Sequence, residues 1–132
     1  MRKYIGWLAA AALLALAACG GGDPAAGAGP QGDPAARAVE EYLSAKVRGD
    51  QEAIRAGLCS EMESVLEREL HTFDSVSGAH IDNMSCASDG AAVVRCQGEI
   101  VALYGTEETK FPLAAYRVVE EDGVWRWCGE TQ

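Results

Sequence analysis

Hydrophobic and polar positions divide the chain into four stretches of different period. From Tyr4 to Leu16 the residues are apolar without a break, with Ile5, Trp7, Leu8, Leu13 and Leu14 set among alanines. From Gly20 to Pro34 there is no large apolar side chain. Apolar residues then recur every three or four positions: Ala35, Ala38, Val39, Tyr42, Leu43 and Val47, next Ile54 and Leu58, then Met62, Val65, Leu66, Leu70 and Phe73. A period near 3.6 predicts helices with one buried face. Beyond Ser75, β-branched residues and turn dipeptides take over, and the pattern predicts strands.

Local punctuation sharpens these elements. Asp33 is a strong N-cap and Pro34 suits the first helical turn, while Gly49 suits a left-handed C-cap. Asp50 caps a short second helix. Ser60 with Glu63 spells a capping box for a third, which turns Glu61, Glu63, Glu67 and Arg68 to water. Strands are expected at 81–87, 91–104, 109–119 and 124–128, joined by Ser88-Asp89-Gly90, Gly105-Thr106-Glu107-Glu108 and Asp122-Gly123. Pro112 lacks an N–H, so the third strand should carry a bulge or an unpaired position there. The expected fold class is α+β, with three N-terminal helices packed on a curved four-stranded antiparallel meander.

Order and pattern over about residues 35–130 resemble the nuclear-transport-factor-2-like superfamily, also called SnoaL-like or cystatin-like. The carriers are a first helix ending in Arg48-Gly49-Asp50, the leucine-rich segment after it, the meander, and the closing Asp122-Gly123-Val124-Trp125. The resemblance implies a cone, its sheet curled over the helices around a pocket. It does not imply an activity, because enzymes, carriers and adaptors share that fold.

The front of the chain carries a different resemblance. Arg2 and Lys3 precede the apolar run, which is shorter than the roughly 20 residues a bilayer span needs and suits the core of a signal peptide. Leu16-Ala17-Ala18-Cys19 resembles a bacterial lipobox at all four positions. That resemblance implies a signal peptide over 1–18, a diacylglyceryl thioether on Cys19, and attachment to the extracytoplasmic side of a membrane. Gly20 in place of Asp is compatible with passage to an outer membrane where there is one. Acyl chains contribute about 0.8 kcal/mol per buried CH₂, so two or three chains hold firmly. Residues 20–34 read as a disordered Gly/Ala/Pro spacer, and residues 35–132 as the domain.

Charge and cysteines narrow the picture. Loss of Arg2 and Lys3 on cleavage takes the formal charge from -9 to -11, which disfavours nucleic acid and anionic headgroups. Four cysteines remain besides Cys19, an even number suited to two disulfides outside the cytoplasm. The favoured pairing is Cys59–Cys128 with Cys86–Cys96. A tight turn at Asp89-Gly90 argues against the second pair, because it sets Cys86 opposite Val93. The other two connectivities therefore stay open. No CxxC occurs, so neither a metal site nor a redox pair is expected, and no cofactor.

Candidate chemistry is sparse. His71 ends the third helix, His80 precedes the first strand, and Asp74 and Asp82 lie close in sequence; a His/Asp pair in a pocket is acid–base machinery. A histidine in a last helical turn more often serves the terminal carbonyls. Trp125 and Trp127 share a strand face, which with Tyr116 makes either an aromatic ligand wall or simple core. Apolar residues on both faces of strand 109–119 suggest that its outer side meets something, a second copy of the chain being one expectation. The leading functional expectation is a non-catalytic binding or interaction module of unknown ligand. The alternatives are a small isomerase or dehydratase using the His/Asp pairs, and an acidic structural or inhibitory adaptor. An interior filled by Trp, Leu and Tyr, with no cavity of about 300 Å³ or more, would weaken ligand carriage and leave the adaptor reading standing.

Overall fold

The computed structural model describes residues 32–90 and 92–131. The expected signal peptide, Cys19 and the tether up to Gln31 lie outside the described residues. Helix α1 (Pro34–Arg48) starts where the Asp33 side chain accepts the Ala36 N–H at 3.0 Å, and stops at Gly49, whose φ is 67°. Asp33 also accepts from the backbone N–H and hydroxyl of Ser88, pinning the start of α1 to the sheet. Asp50 caps α2 (Gln51–Gly57) by accepting the Ala53 N–H.

The third helix departs from expectation. Ser60–Val65 is a 3₁₀ segment, η1, and only Leu66–Leu70, α3, is α-helical. The Ser60/Glu63 capping box does not form, because the Ser60 N–H and hydroxyl both donate to Glu121, far along the chain. Cys59 is held as well: its N–H donates to the Trp127 carbonyl at 2.9 Å and its sulfur bonds Cys128. Tertiary anchors on both residues override the local helix signal.

The sheet has five antiparallel strands, a correction to the four-stranded meander. They are β1 (Ser77–Ser88), β2 (Val93–Tyr104), β3 (Glu107–Pro112), β4 (Ala115–Glu121) and β5 (Val124–Glu130). Their order is β1-β2-β4-β5, and β3 pairs with the far half of β2. The expected strand 109–119 is thus two strands, broken after Pro112, which has no N–H to give. Across the break, Arg95 to Glu99 of β2 faces the shorter step from Ala115 to Pro112, so β2 carries an extra residue. Gly98 sits in that bulge at φ 111°, and a Cβ on it would lie 2.6 Å from the Asp82 carbonyl oxygen. No side chain fits there.

The first hairpin is wider than a two-residue turn. Its connection runs through Ala92, with the Asp89 N–H donating to the Val93 carbonyl, and the register places Cys86 opposite Cys96. Disulfides join Cys86 to Cys96 and Cys59 to Cys128. The second closes a sequence separation of 69, a constraint on the unfolded chain of roughly 4 kcal/mol.

Among the described residues one core lies between the helices and the inner face of the sheet: Val39, Tyr42 and Leu43 of α1 and Ile54 of α2 against Val94, Tyr116, Val118 and Trp127. At its centre the Tyr42 and Trp127 rings stack, with centroids 4.5 Å apart. Along β4 and β5 the chain's own η1 meets the other face, through Arg117–Glu61, Ser60–Glu121 and the Cys59–Cys128 bridge.

Candidate functional site

Two charged residues stand where the helix pattern calls for apolar ones. Lys46 follows Val39, Tyr42 and Leu43 on the inner stripe of α1, and Glu69 stands with Leu66 and Leu70 on that of α3. Both consequently point into the space between helices and sheet. Glu69 keeps only 5 % of its surface and Lys46 14 % of its side chain.

The pair is closely held. Lys46 Nζ lies 2.7 Å from Glu69 Oε2, and the Tyr42 hydroxyl donates to the same oxygen at 3.0 Å. Arg68 reaches Oε1 at 3.4 Å from the mouth of the site. Burial pushes the Glu69 carboxyl upward. The Lys46 ammonium, the Tyr42 hydroxyl and the Arg68 guanidinium outweigh it, and the group is held below the usual carboxylate range. Burial also raises the Tyr42 phenol, and the Glu69 carboxylate raises it further. Lys46 completes the cluster by lying over two rings, 5.9 Å from the centroid of Tyr42 and 5.5 Å from that of Trp127.

Beside this cluster opens a cleft of about 290 Å³, open to solvent and just under the roughly 300 Å³ at which small-ligand pockets begin. Its walls include Leu43, Met62, Ile100, Phe111, Tyr116 and Trp127, with Lys46, Arg68, Glu69 and Glu130 supplying charge. Trp127 brings an unusual feature: its indole Nε1 is buried and has no hydrogen-bond partner among the described residues. Such a donor costs about 1–3 kcal/mol if left alone. A larger depression of about 460 Å³ lies along the other side of α1, between Arg37, Glu41, Arg48 and Met84. Every side chain on it is exposed or half-buried, so it is a solvated groove with no desolvated polar group to direct a ligand.

The residues singled out by type lie elsewhere. His71 caps α3 at its C-terminus, with Nδ1 2.5 Å from Asp74 Oδ2 and Nε2 3.8 Å from Glu67. His80 stands on β1, its Nδ1 near the Gly78 carbonyl and its Nε2 3.4 Å from Asp82. Each histidine pairs with its local aspartate, all four side chains stand in solvent by nearly half or more, and none lines the two cavities above. Trp127 and Tyr116 do belong to the cleft. Trp125, on the same side of β5, instead borders a smaller hollow of about 240 Å³ beneath Ala38, Ala53 and Ala56. Among the described residues no cluster of His, Cys, Asp and Glu is arranged to hold a metal ion. No helix among them is long and apolar enough to cross a membrane.

No family model and no curated protein matches the chain. The site's chemistry therefore rests on its own geometry. Glu69 already accepts from three donors, which leaves little of its lone-pair capacity for taking a proton. Holding a ligand is within the reach of this arrangement.

Sequence reasoning passed over Lys46 and Glu69. A signal for both was present. Val39, Tyr42, Leu43, Lys46 and Leu66, Glu69, Leu70, Phe73 are each an i, i+3, i+4, i+7 set, with a charge in an apolar slot.

Proposed function

We propose that the protein is a lipid-anchored extracytoplasmic module that binds a small ligand in the cleft beneath α1. The observation that carries the binding half is a desolvated Lys46–Glu69 pair on the wall of a cleft otherwise lined by apolar and aromatic side chains, Trp127 among them. Replacing a buried ion pair by apolar residues is often neutral or stabilising, so its presence calls for a role other than stability. The location half is supported by the spacing of the cationic start, the apolar run and Leu16-Ala17-Ala18-Cys19. Two disulfides suit an oxidising space. The isomerase alternative loses support, because its histidines stand in solvent beside local partners.

Native mass spectrometry of the protein extracted from its own membrane tests both halves. The expected mass starts at Cys19, carries acyl chains, lacks two hydrogens for each disulfide, and includes a small non-covalent adduct released on activation. The same spectrum reads whether a second copy is attached. An unacylated, fully reduced chain recovered from the cytosol overturns the location. A bare protein in repeated preparations, with no small molecule taken up by the cleft, overturns the binding role.

A further inference from the structure

We infer that the ligand of this cleft is a small, flat, apolar acid, a monoanion whose carboxylate or equivalent acceptor is received by Lys46 and Arg68. The inference deepens the binding role proposed above and rests on it. It follows from which hydrogen-bonding capacity the cleft leaves unused.

The acceptors are largely engaged. Both Glu69 oxygens already receive donors, from Lys46 and Tyr42 on one side and Arg68 on the other. Tyr116, whose oxygen accepts the Ala114 N–H, sits in the wall. Donors, by contrast, are in surplus. An ammonium has three N–H groups and a guanidinium five, and Glu69 engages only a share of them. The Trp127 ring lines the cleft, with its indole N–H buried below the surface and without an acceptor among the described residues. A bound molecule that suits this lining brings acceptors, and a charged acceptor makes hydrogen bonds roughly twice as strong as a neutral one. A cationic ligand would find Glu69 already engaged by Lys46, Tyr42 and Arg68, leaving Glu130, exposed at the rim, as the carboxylate to receive it.

Size and shape set the remainder. About 290 Å³ admits one or two fused rings. Trp127, Tyr116, Phe111 and Ile100 offer flat apolar walls suited to a planar body. Glu130 at the same rim repels a second negative charge, which favours a monoanion over a dianion. Arg68, with 68 % of its side chain exposed, is free to swing from its long contact with Glu69 onto an incoming carboxylate.

The test uses the full chain, oxidised and purified in a non-ionic detergent, labelled at the tryptophan indole nitrogens. The Trp127 resonance is assigned by its loss in Trp127→Phe. The probes are 2-naphthoate, the neutral 2-naphthamide and the cationic 2-naphthylmethylammonium. The expected result is a saturable shift of the Trp127 indole signal with 2-naphthoate, and affinity at least about tenfold weaker for the amide and the cation. Arg68→Gln weakens the acid severalfold and leaves the amide unchanged, and His71→Asn alters neither. Arg68→Gln keeps the test decisive if changes at Lys46 unfold the protein. Equal binding of acid and amide, or preference for the cation, overturns the acid assignment and leaves the cleft as a binding site. A Trp127 signal that no probe moves overturns both.

Discussion

Two pairs of a basic side chain and a carboxylate in this domain have similar ingredients and opposite surroundings. Lys46 meets Glu69 at 2.7 Å with the carboxylate almost fully buried, whereas His71 meets Asp74 at 2.5 Å with half or more of each side chain in water. Water and counterions screen the exposed pair, and such pairs contribute about 0–1 kcal/mol. In the interior the same charges have no water to return to. Separating them leaves one stranded, and that is costly. Residue type drew attention to the histidines; surroundings point to the lysine and the glutamate.

The contrast breaks most sharply at Lys46. Lys46→Met leaves Glu69 without its strongest partner and is expected to destabilise by about 3–5 kcal/mol in urea unfolding. Lys46→Met with Glu69→Met removes both charges and recovers most of that loss. A single variant within about 1 kcal/mol of the parent would mean that Glu69 is not desolvated as described.

Tyr42→Phe comes next. It keeps the ring stacked on Trp127 and deletes one donor to a charged acceptor, an expected loss of about 1.5–3 kcal/mol. If Tyr42→Phe is silent in denaturant unfolding, the hydroxyl is not part of what holds Glu69.

Acid and alkali should then act on the cluster from opposite ends. The native Glu69 carboxyl is held below its ordinary value of 4.5. Its contribution is therefore complete above pH 4.5 and is lost as pH falls through the lower native value. Tyr42 is raised above its ordinary value of 10.0, so its contribution is present below pH 10 and fades as pH climbs toward the native value. Melting temperature against pH should show both shoulders in the parent. The acid shoulder should shrink in the Lys46→Met/Glu69→Met variant.

The smallest effects belong to the exposed pairs. His71→Asn and His80→Asn should each stay within about 0.5 kcal/mol of the parent in the same unfolding experiment. A larger change would place one of these histidines in a network the geometry does not contain.

Legibility followed the range of the interactions. Asp33, Gly49 and Asp50 were readable because a cap satisfies its helix within three or four residues. The Ser60/Glu63 signal misled because Ser60 is taken by Glu121 across 61 residues of sequence, a competition no local pattern displays. Pro112 marked the break in the third strand, but not that the two pieces would share β2 between them. Lys46 and Glu69 were hidden because lysine and glutamate are almost never buried, although each occupies an apolar slot of its helix. The Cys86–Cys96 register depended on a turn wider than Asp89-Gly90 suggests.

If the buried pair serves binding and not stability, the Lys46→Met/Glu69→Met variant separates the two. Its thermal melt and its 2-naphthoate titration, both followed through Trp127, are measured on one preparation. The expected result is a cooperative melt close to that of the parent and well above that of Lys46→Met alone, with affinity for the acid reduced at least about tenfold. A folded variant that binds 2-naphthoate as tightly as the parent would contradict the account.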